Sequence, residues 1–401
     1  MNSSGFPGQH KNAFVQRAAP PSPRRRSPAA RAGRPEGRPT LVHVHDHAPL
    51  ARFGGLVASG LKDVTSDPAA LESSGFWAVC ADFEGRLTCA RFATVRTEPV
   101  PPPVPGAWRG PAPRDWTSSL DEDAYTAGVR RIREHIAAGE VYQANLCRVL
   151  TAPLPDPAAD VDALTALLAR GNPAPYAGTI RLPAHGVEVA TASPELFLRR
   201  DGRTVESGPI KGTGRTEGDL LEKDHAENVM IVDLVRNDLG RVCATGSVTV
   251  PDLCVVEKHP GLVHLVSTVR GRLADGAGWP GLLGAAFPPG SVTGAPKSSA
   301  LRVIRALETA PRGPYCGGVG WVDADRGTAS LAVGIRTFWI DRAGPAPLLR
   351  FGTGAGITWG SDPGREWAET ELKASRLLAV ASGAYDPVTC GDDADTGRTG
   401  A

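Results

Sequence analysis

A carboxyl and an amine lie sixteen residues apart in this chain, Glu195 in Ser193-Pro194-Glu195-Leu196-Phe197 and Lys211 in Pro209-Ile210-Lys211-Gly212-Thr213. Brought together by a fold, they could act as proton donor and nucleophile. A lysine in a glycine-flanked turn is ordinarily a solvated surface charge, so the chemistry depends on what surrounds it. An alkylamine with the ordinary pKa of ~10.4 is less than about 0.1% neutral at pH 7, and burial or a neighbouring cation is needed to make it a nucleophile. A protonated Glu195 suits both roles, because it can donate a proton and adds no negative charge beside the amine.

Two acidic pairs offer metal chemistry. Asp224 and Glu227, and likewise Glu366 and Glu369, are spaced i,i+3, so each pair presents both carboxylates on one helix face. Solvated helices carry such pairs too, and Glu369 has Lys373 at i+4. If the two helices meet, the repulsion calls for a cation, and Mg²⁺ takes one or two carboxylates and completes its shell with water and substrate oxygens. The segment from Phe287 to Ser298 is rich in glycine and proline but fails as a phosphate loop, since Ala295-Pro296 precedes Lys297. An ATPase is therefore set aside. What is left is either a tight structural turn or one that presents amides and Thr293 to an anion. Gly352-Thr353-Gly354-Ala355-Gly356 could let backbone approach a carboxylate closely. Arg336, expected on a strand facing away from Leu331, Val333 and Ile335, is either a carboxylate clamp or a surface arginine. His264, flanked by apolar residues, is either a titrating group or a satisfied core position.

The elements that must position these groups lie in a chain of 401 residues with 44 basic and 43 acidic side chains, a net charge of +1. That balance provides no field for nucleic acid or for an anionic membrane. The seven cysteines include no C-x-x-C, which fits reduced thiols in a cytoplasmic protein and gives no metal-ligand spacing. No apolar run approaches the ~18 residues of a membrane span. Residues 1–39 read as a disordered Pro/Arg-rich leader, 40–97 as a small β-rich subdomain, 98–114 as a proline-rich linker, 115–383 as the main body and 384–401 as a disordered tail. In the body, Ser119 and Glu122 have capping-box spacing ahead of a helix through Tyr125, Val129, Ile132 and Ile136. A strand follows over 141–149, with Gln143, Asn145 and Cys147 on one face. Helices are predicted over 222–238 and 299–308, and from Asp362-Pro363 to about Ser382. The β-prone runs 315–322 and 328–340 read as a hairpin, and the whole reads as α+β with antiparallel pairing.

Between Ala124 and Leu378 the chain resembles the chorismate-utilising enzymes, and within them the aminodeoxychorismate synthases. The resemblance rests on Tyr142-Gln143-Ala144-Asn145, the Glu195 and Lys211 segments, Asp224-His225-Ala226-Glu227-Asn228, His264-Leu265-Val266-Ser267-Thr268, Gly290-Ser291-Val292-Thr293-Gly294-Ala295-Pro296-Lys297, Tyr315-Cys316-Gly317-Gly318 and Glu366-Trp367-Ala368-Glu369-Thr370. It implies two large antiparallel β-sheets packed face to face with helices outside. It also implies Mg²⁺ at Glu227 and Glu369 with Asp224 and Glu366 in support, and substrate carboxylates held by Tyr315, Arg336, Gly354 and Gly356 with Lys373 beside them. Glu195 matches a general acid and His264 a histidine near the departing C4 hydroxyl.

Two positions bear on the reaction. Relatives that add water have a lysine base where this chain has Gln143, and anthranilate synthases have alanine where it has Lys211. The resemblance thus implies an aminodeoxychorismate synthase component I, in which Lys211 attacks C2 of chorismate as the C4 hydroxyl leaves. Ammonia then adds at C4 and expels the lysine, pyruvate is retained, and a separate lyase would finish 4-aminobenzoate. Nothing in the chain resembles a glutaminase, so ammonia is expected from a separate glutamine amidotransferase subunit. Anthranilate synthase component I is the nearest rival, and a non-catalytic chorismate-binding relative is the alternative of another class. The chain departs from the pattern at Gly214-Arg215, Pro289 and Ala329-Ser330.

Overall fold

The computed structural model describes residues 47–214, 216–220, 222–259 and 262–383, all within one compact unit. The leader and tail expected at 1–39 and 384–401 lie outside the described residues. The α+β class is observed. The strands, however, form one continuous eighteen-stranded antiparallel sheet instead of two separate ones.

Its first arm runs from Thr249–His259 through Leu262–Arg272 to Thr204–Gly208 and Ile210–Gly214, which pair with successive parts of the same neighbour. The arm continues through Leu196–Asp201, Thr328–Val333, Gly318–Asp323, Phe76–Ala81 and Leu87–Thr97. The second arm runs Leu56–Thr65, Leu50–Phe53, Tyr176–Leu182, Val187–Ser193, Thr337–Asp341, Leu348–Ile357 and Gln143–Pro153. The ladder between Leu56–Thr65 and Leu87–Thr97 joins the arms, which is why two sheets become one. The sheet folds back on itself, since its largest core mixes Val79, Phe197, Val319 and Leu331 of the first arm with Val149, Ile180, Val187 and Val189 of the second. The β-rich stretch expected at 40–97 thus supplies four strands to the middle of this sheet, and Trp108 of the proline-rich segment is buried, donating to the Ala381 carbonyl at 2.7 Å.

Helices pack against both arms, Glu122–Ala137, Val161–Gly171, Lys297–Leu307 and Pro363–Ala381 against the second and Glu222–Gly240 against the first. Helix α1 (Glu122–Ala137) buries Tyr125, Val129 and Ile132 against Leu146 and Ala355. Its cap is Asp121, which accepts from the Ala124 amide at 2.8 Å, and not the expected Ser119. The Ser119 hydroxyl is taken by the Val149 amide at 2.9 Å, a long-range bond that no local pattern encodes. Helices α2 (Val161–Gly171), α3 (Glu222–Gly240), α4 (Trp279–Ala286), α5 (Lys297–Leu307) and α6 (Pro363–Ala381) follow. Asp362 caps α6 as expected, accepting from the Arg365 amide at 2.9 Å.

The strand Gln143–Pro153 organises this arm. One edge pairs fully with Leu348–Ile357, while the other meets only the short strands Gly294–Ala295 and Thr117–Ser118. Backbone groups between those contacts would be buried without partners. Arg312 and Glu308 fill the gap. Arg312, 1% exposed, donates to Glu308 at 2.6 and 2.8 Å, to the Asn145 carbonyl at 3.1 Å and to the Val292 carbonyl at 2.9 Å. Glu308 accepts from the Cys147 amide at 2.8 Å. On the helix side, Arg148 stacks 4.1 Å from the Trp367 ring, donates to Thr370 at 3.0 Å and pairs with Glu371, fastening α6 to the same strand.

Removing one partner of a buried pair leaves a buried charge and orphaned carbonyls. Arg312→Met is therefore expected to cost about 3–5 kcal/mol of stability in urea unfolding. A loss below about 1 kcal/mol, the scale of a surface pair, would contradict this role.

Candidate active site

Glu195 sits at a corner between the strands Val187–Ser193 and Leu196–Asp201, where Pro194 interrupts the ladder. The Ser193 hydroxyl locks that corner, donating to the Val333 carbonyl at 2.6 Å and accepting from the Glu195 amide at 3.2 Å. The side chain is 4% exposed. Burial pushes its carboxyl up to about 7, against the opposing pull of a Ser291 hydrogen bond, the Lys211 charge and the Ile210 amide. The amine and the carboxyl singled out by spacing are thus electrostatic neighbours. Ser291 is the hydroxyl of the glycine-rich turn that reaches Glu195. Thr293, for which both a structural turn and an anion contact were open, closes its own turn, its hydroxyl lying 3.1 and 3.2 Å from the Pro289 and Gly290 carbonyls and its carbonyl accepting from the Asn145 amide.

Lys211 lies on Ile210–Gly214, opposite Leu265, and the register slips at Gly212. Gly212 has φ +68°, and a Cβ there would lie 3.0 Å from Asp224 Cβ. Glycine is therefore needed both for the turn and for the close approach of the Lys211 strand to α3. His264 is buried on the neighbouring strand, opposite Thr213.

The acidic residues of α3 and α6 feel one another. Burial pushes Glu227 above the ordinary carboxyl range, Lys211 and Lys223 pull it down, and Asp224 and Glu369 add to the rise. Glu366 is likewise raised by burial, with a Ser361 hydrogen bond opposing and Glu369 contributing. Glu369 goes the other way. Burial disfavours its charge, but Lys373, paired at 2.7 Å, outweighs that with help from Lys223 and Lys211 and holds the carboxyl below its ordinary value. Lys223, exposed beside Asp224, has no role in the sequence reading, yet it acts on carboxylates of both helices.

Among the described residues no group of three or more His, Cys, Asp or Glu is arranged as a metal centre. Mg²⁺ does not require one. A carboxylate from each helix, Glu227 and Glu369, matches the number and class of protein donors it takes when water and substrate oxygens complete the shell. The donor set fits the ion.

Strand Leu348–Ile357 carries glycine at 352, 354 and 356, which leaves one of its faces bare. A Cβ at Gly352 would lie 2.1 Å from the ring of buried Tyr315, one at Gly354 2.6 Å from Cys147 Sγ, and one at Gly356 2.3 Å from Gln143 Nε2. These glycines make room for the side chains facing them, and Gln143, Asn145 and Cys147 share that face as the alternation predicted. Gln143 is fully buried, and its Oε1 has no partner. Lys373 donates to the Gly354 carbonyl at 3.1 Å.

Arg336 is not on a strand. The expected run 328–340 breaks into Thr328–Val333 and Thr337–Asp341, and Arg336 occupies the connection at φ +51° with its carbonyl accepting from the Ala192 amide. Burial, and then the like charge of Arg376, disfavour its charged form. An anion beside it would relieve both. Arg312 and Glu308 were not among the candidates. Their i,i+4 spacing across the end of α5 was the available signal, but their partners are distant in sequence.

The profile of the family described as chorismate binding enzyme matches residues 59–379. The chain is 42% identical over 277 residues to anthranilate synthase component 1 of Streptomyces coelicolor, covering 66% of this chain and 52% of that protein. It is 42% identical over 285 residues to an aminodeoxychorismate synthase of Streptomyces pristinaespiralis, covering 67% of this chain and 38% of that protein. With 54% of a Haloarcula marismortui anthranilate synthase component covered as well, the chain spans about half the length of several such relatives. Among solved structures, anthranilate synthase component I of Streptococcus pneumoniae is similar with TM-score 0.62 and 25% identity, over 84% of this chain and 82% of that one. No helix of the described residues is long and apolar enough to cross a membrane. The chain belongs to the family of chorismate-binding enzymes.

Proposed function

We propose that the protein is an aminodeoxychorismate synthase of the component I type, converting chorismate and ammonia to 4-amino-4-deoxychorismate and water. The observation that carries this reading is the presence of Lys211 within electrostatic reach of Glu195, a buried carboxyl pushed up to about 7 and thus half protonated near neutrality. In the proposed reaction the Lys211 amine bonds to C2 of the ring while the C4 hydroxyl departs with a proton from Glu195, as water. Ammonia then bonds to C4, the C2–nitrogen bond breaks, and the double bonds return to their places. The proton carried by ammonia restores Glu195, and His264 lies in the neighbouring strand as a second group for the departing hydroxyl.

Glu227 and Glu369, supported by Asp224 and Glu366, would hold Mg²⁺, which supplies positive charge for the ring carboxylate of the substrate. Arg336, buried near Arg376, suits a substrate carboxylate. Tyr315, Gly354, Gly356 and Lys373 are proposed to line the same site, with Thr293 supporting it by shaping the turn that carries Ser291. Ammonia is proposed to come from a glutamine amidotransferase subunit. Relatives named as anthranilate synthase component 1 favour the second reading, in which the amine enters at C2 and pyruvate is lost. Lys211 argues for the first, because a lysine at C2 excludes ammonia from that carbon.

With chorismate, Mg²⁺ and ammonium, the wild type is expected to give aminodeoxychorismate and Lys211→Ala to lose that activity. Anthranilate from the wild type would contradict the reading. Glu195→Gln is expected to lower turnover by about 10²–10⁴-fold, the usual range for a general acid.

The same substitution has a stability signature. A carboxyl raised from 4.5 to about 7 in the folded state holds its proton more tightly there than in the unfolded chain. Stability therefore falls as pH rises from about 4.5 to about 7 and then levels off. Glutamine removes that loss, so Glu195→Gln is expected to be more stable than wild type at pH 8 by up to about 3 kcal/mol and equal to it near pH 4.5. Denaturant unfolding at both pH values checks this, and equal stability at pH 8 would refute it.

A further inference from the structure

Lys373 has two partners at the acidic cleft. Its ammonium pairs with Glu369 Oε1 at 2.7 Å and donates to the Gly354 carbonyl at 3.1 Å. Both side chains of the pair are half exposed, at 50% and 43%. Glutamate four residues ahead of lysine is the favourable order on a helix, but a half-solvated pair of this kind is weak and readily displaced. A metal ion on the same carboxylate would lie ~2.1 Å from an oxygen, and two cations on one carboxylate repel strongly in a partly buried site.

We propose that Lys373 occupies Glu369 as a built-in cation until a divalent metal displaces it. The proposal rests on the reading of Glu227 and Glu369 as metal donors. Lys373 is in this sense a competitor of the metal for the carboxylate. It offsets the charge that Glu369 directs toward Glu227 of α3 when no metal is present, and it lowers the affinity of the substrate-free protein for the ion. Lys223 and Lys211 act on Glu369 from other elements but do not contact it directly in this way. They dampen the repulsion between the helices without competing for the oxygen.

The test is Mn²⁺ binding to the full chain without substrate, read from the electron paramagnetic resonance signal of the free ion. Lys373→Met, at a half-exposed helix position that tolerates the change, is expected to bind Mn²⁺ about 3- to 10-fold more tightly than wild type. This corresponds to removing one competing charge worth about 1 kcal/mol. Lys373→Arg, which keeps the charge, is expected to remain near wild type. A Lys373→Met affinity equal to or weaker than wild type, with binding still abolished by Glu369→Gln, would overturn the displacement while leaving the metal reading intact. Mn²⁺ binding unaffected by Glu369→Gln and Glu227→Gln would overturn the metal reading, and the proposal with it.

Discussion

The buried pair of Arg312 and Glu308 is the constraint on which the site depends. Strand Gln143–Pro153 has one edge left open between two short partners, and this pair supplies the missing donors and acceptor there. The same guanidinium holds the Val292 carbonyl, so it also fixes the turn that carries Ser291 to Glu195. One ion pair therefore sets the position of the strand bearing Gln143 and Cys147 relative to the turn touching the buried acid. Burying two charges is unfavourable by itself. Here the guanidinium makes four donations and the carboxylate accepts three bonds, the dense hydrogen bonding under which such a pair can be sustained.

The strands beside it divide their labour by face. Side chains of Gln143–Pro153 that point outward, Leu146 and Arg148 among them, hold α1 and α6. Those that point inward meet a neighbour stripped to glycine at 352, 354 and 356, which gives Tyr315, Cys147 and Gln143 room to pack. Carboxyls of one type are then set to opposite states by their surroundings. Glu195, buried with few cations, is raised, whereas Glu369, beside Lys373, is lowered. A proton donor and a charged ligand donor can thus be made from the same residue type.

Features set by neighbouring residues were legible in the sequence. Asp362-Pro363 opens α6, and alternation puts Gln143, Asn145 and Cys147 on one face, because caps and pleats are local. Features decided across the chain were not. Asp121 caps α1 because Val149 claims Ser119, and a ladder of Leu56–Thr65 with Leu87–Thr97 turns two expected sheets into one. Arg336 looked like a strand residue by alternation, but Gly334-Ile335-Arg336 form a break with a positive φ at a non-glycine position, which pattern reading does not anticipate. Thr293 and Ser291 are equally plausible hydroxyls in one turn, and only the turn's geometry decides which is spent internally. The electrostatic influence of Lys211 on Glu195, and of the acidic residues of α3 and α6 on one another, joins positions distant in sequence that periodicity alone could not have connected.

The central claim is that the Lys211 amine forms a bond to the ring of the substrate. The direct measurement is intact-protein mass after mixing the wild type with chorismate and Mg²⁺ in the absence of ammonia, followed by acid quench and peptide mapping. A mass increase equal to chorismate less one water, mapped to Lys211 and absent from Lys211→Ala, is the predicted result. An unmodified Lys211 in enzyme that goes on to form aminodeoxychorismate when ammonia is added would contradict the account.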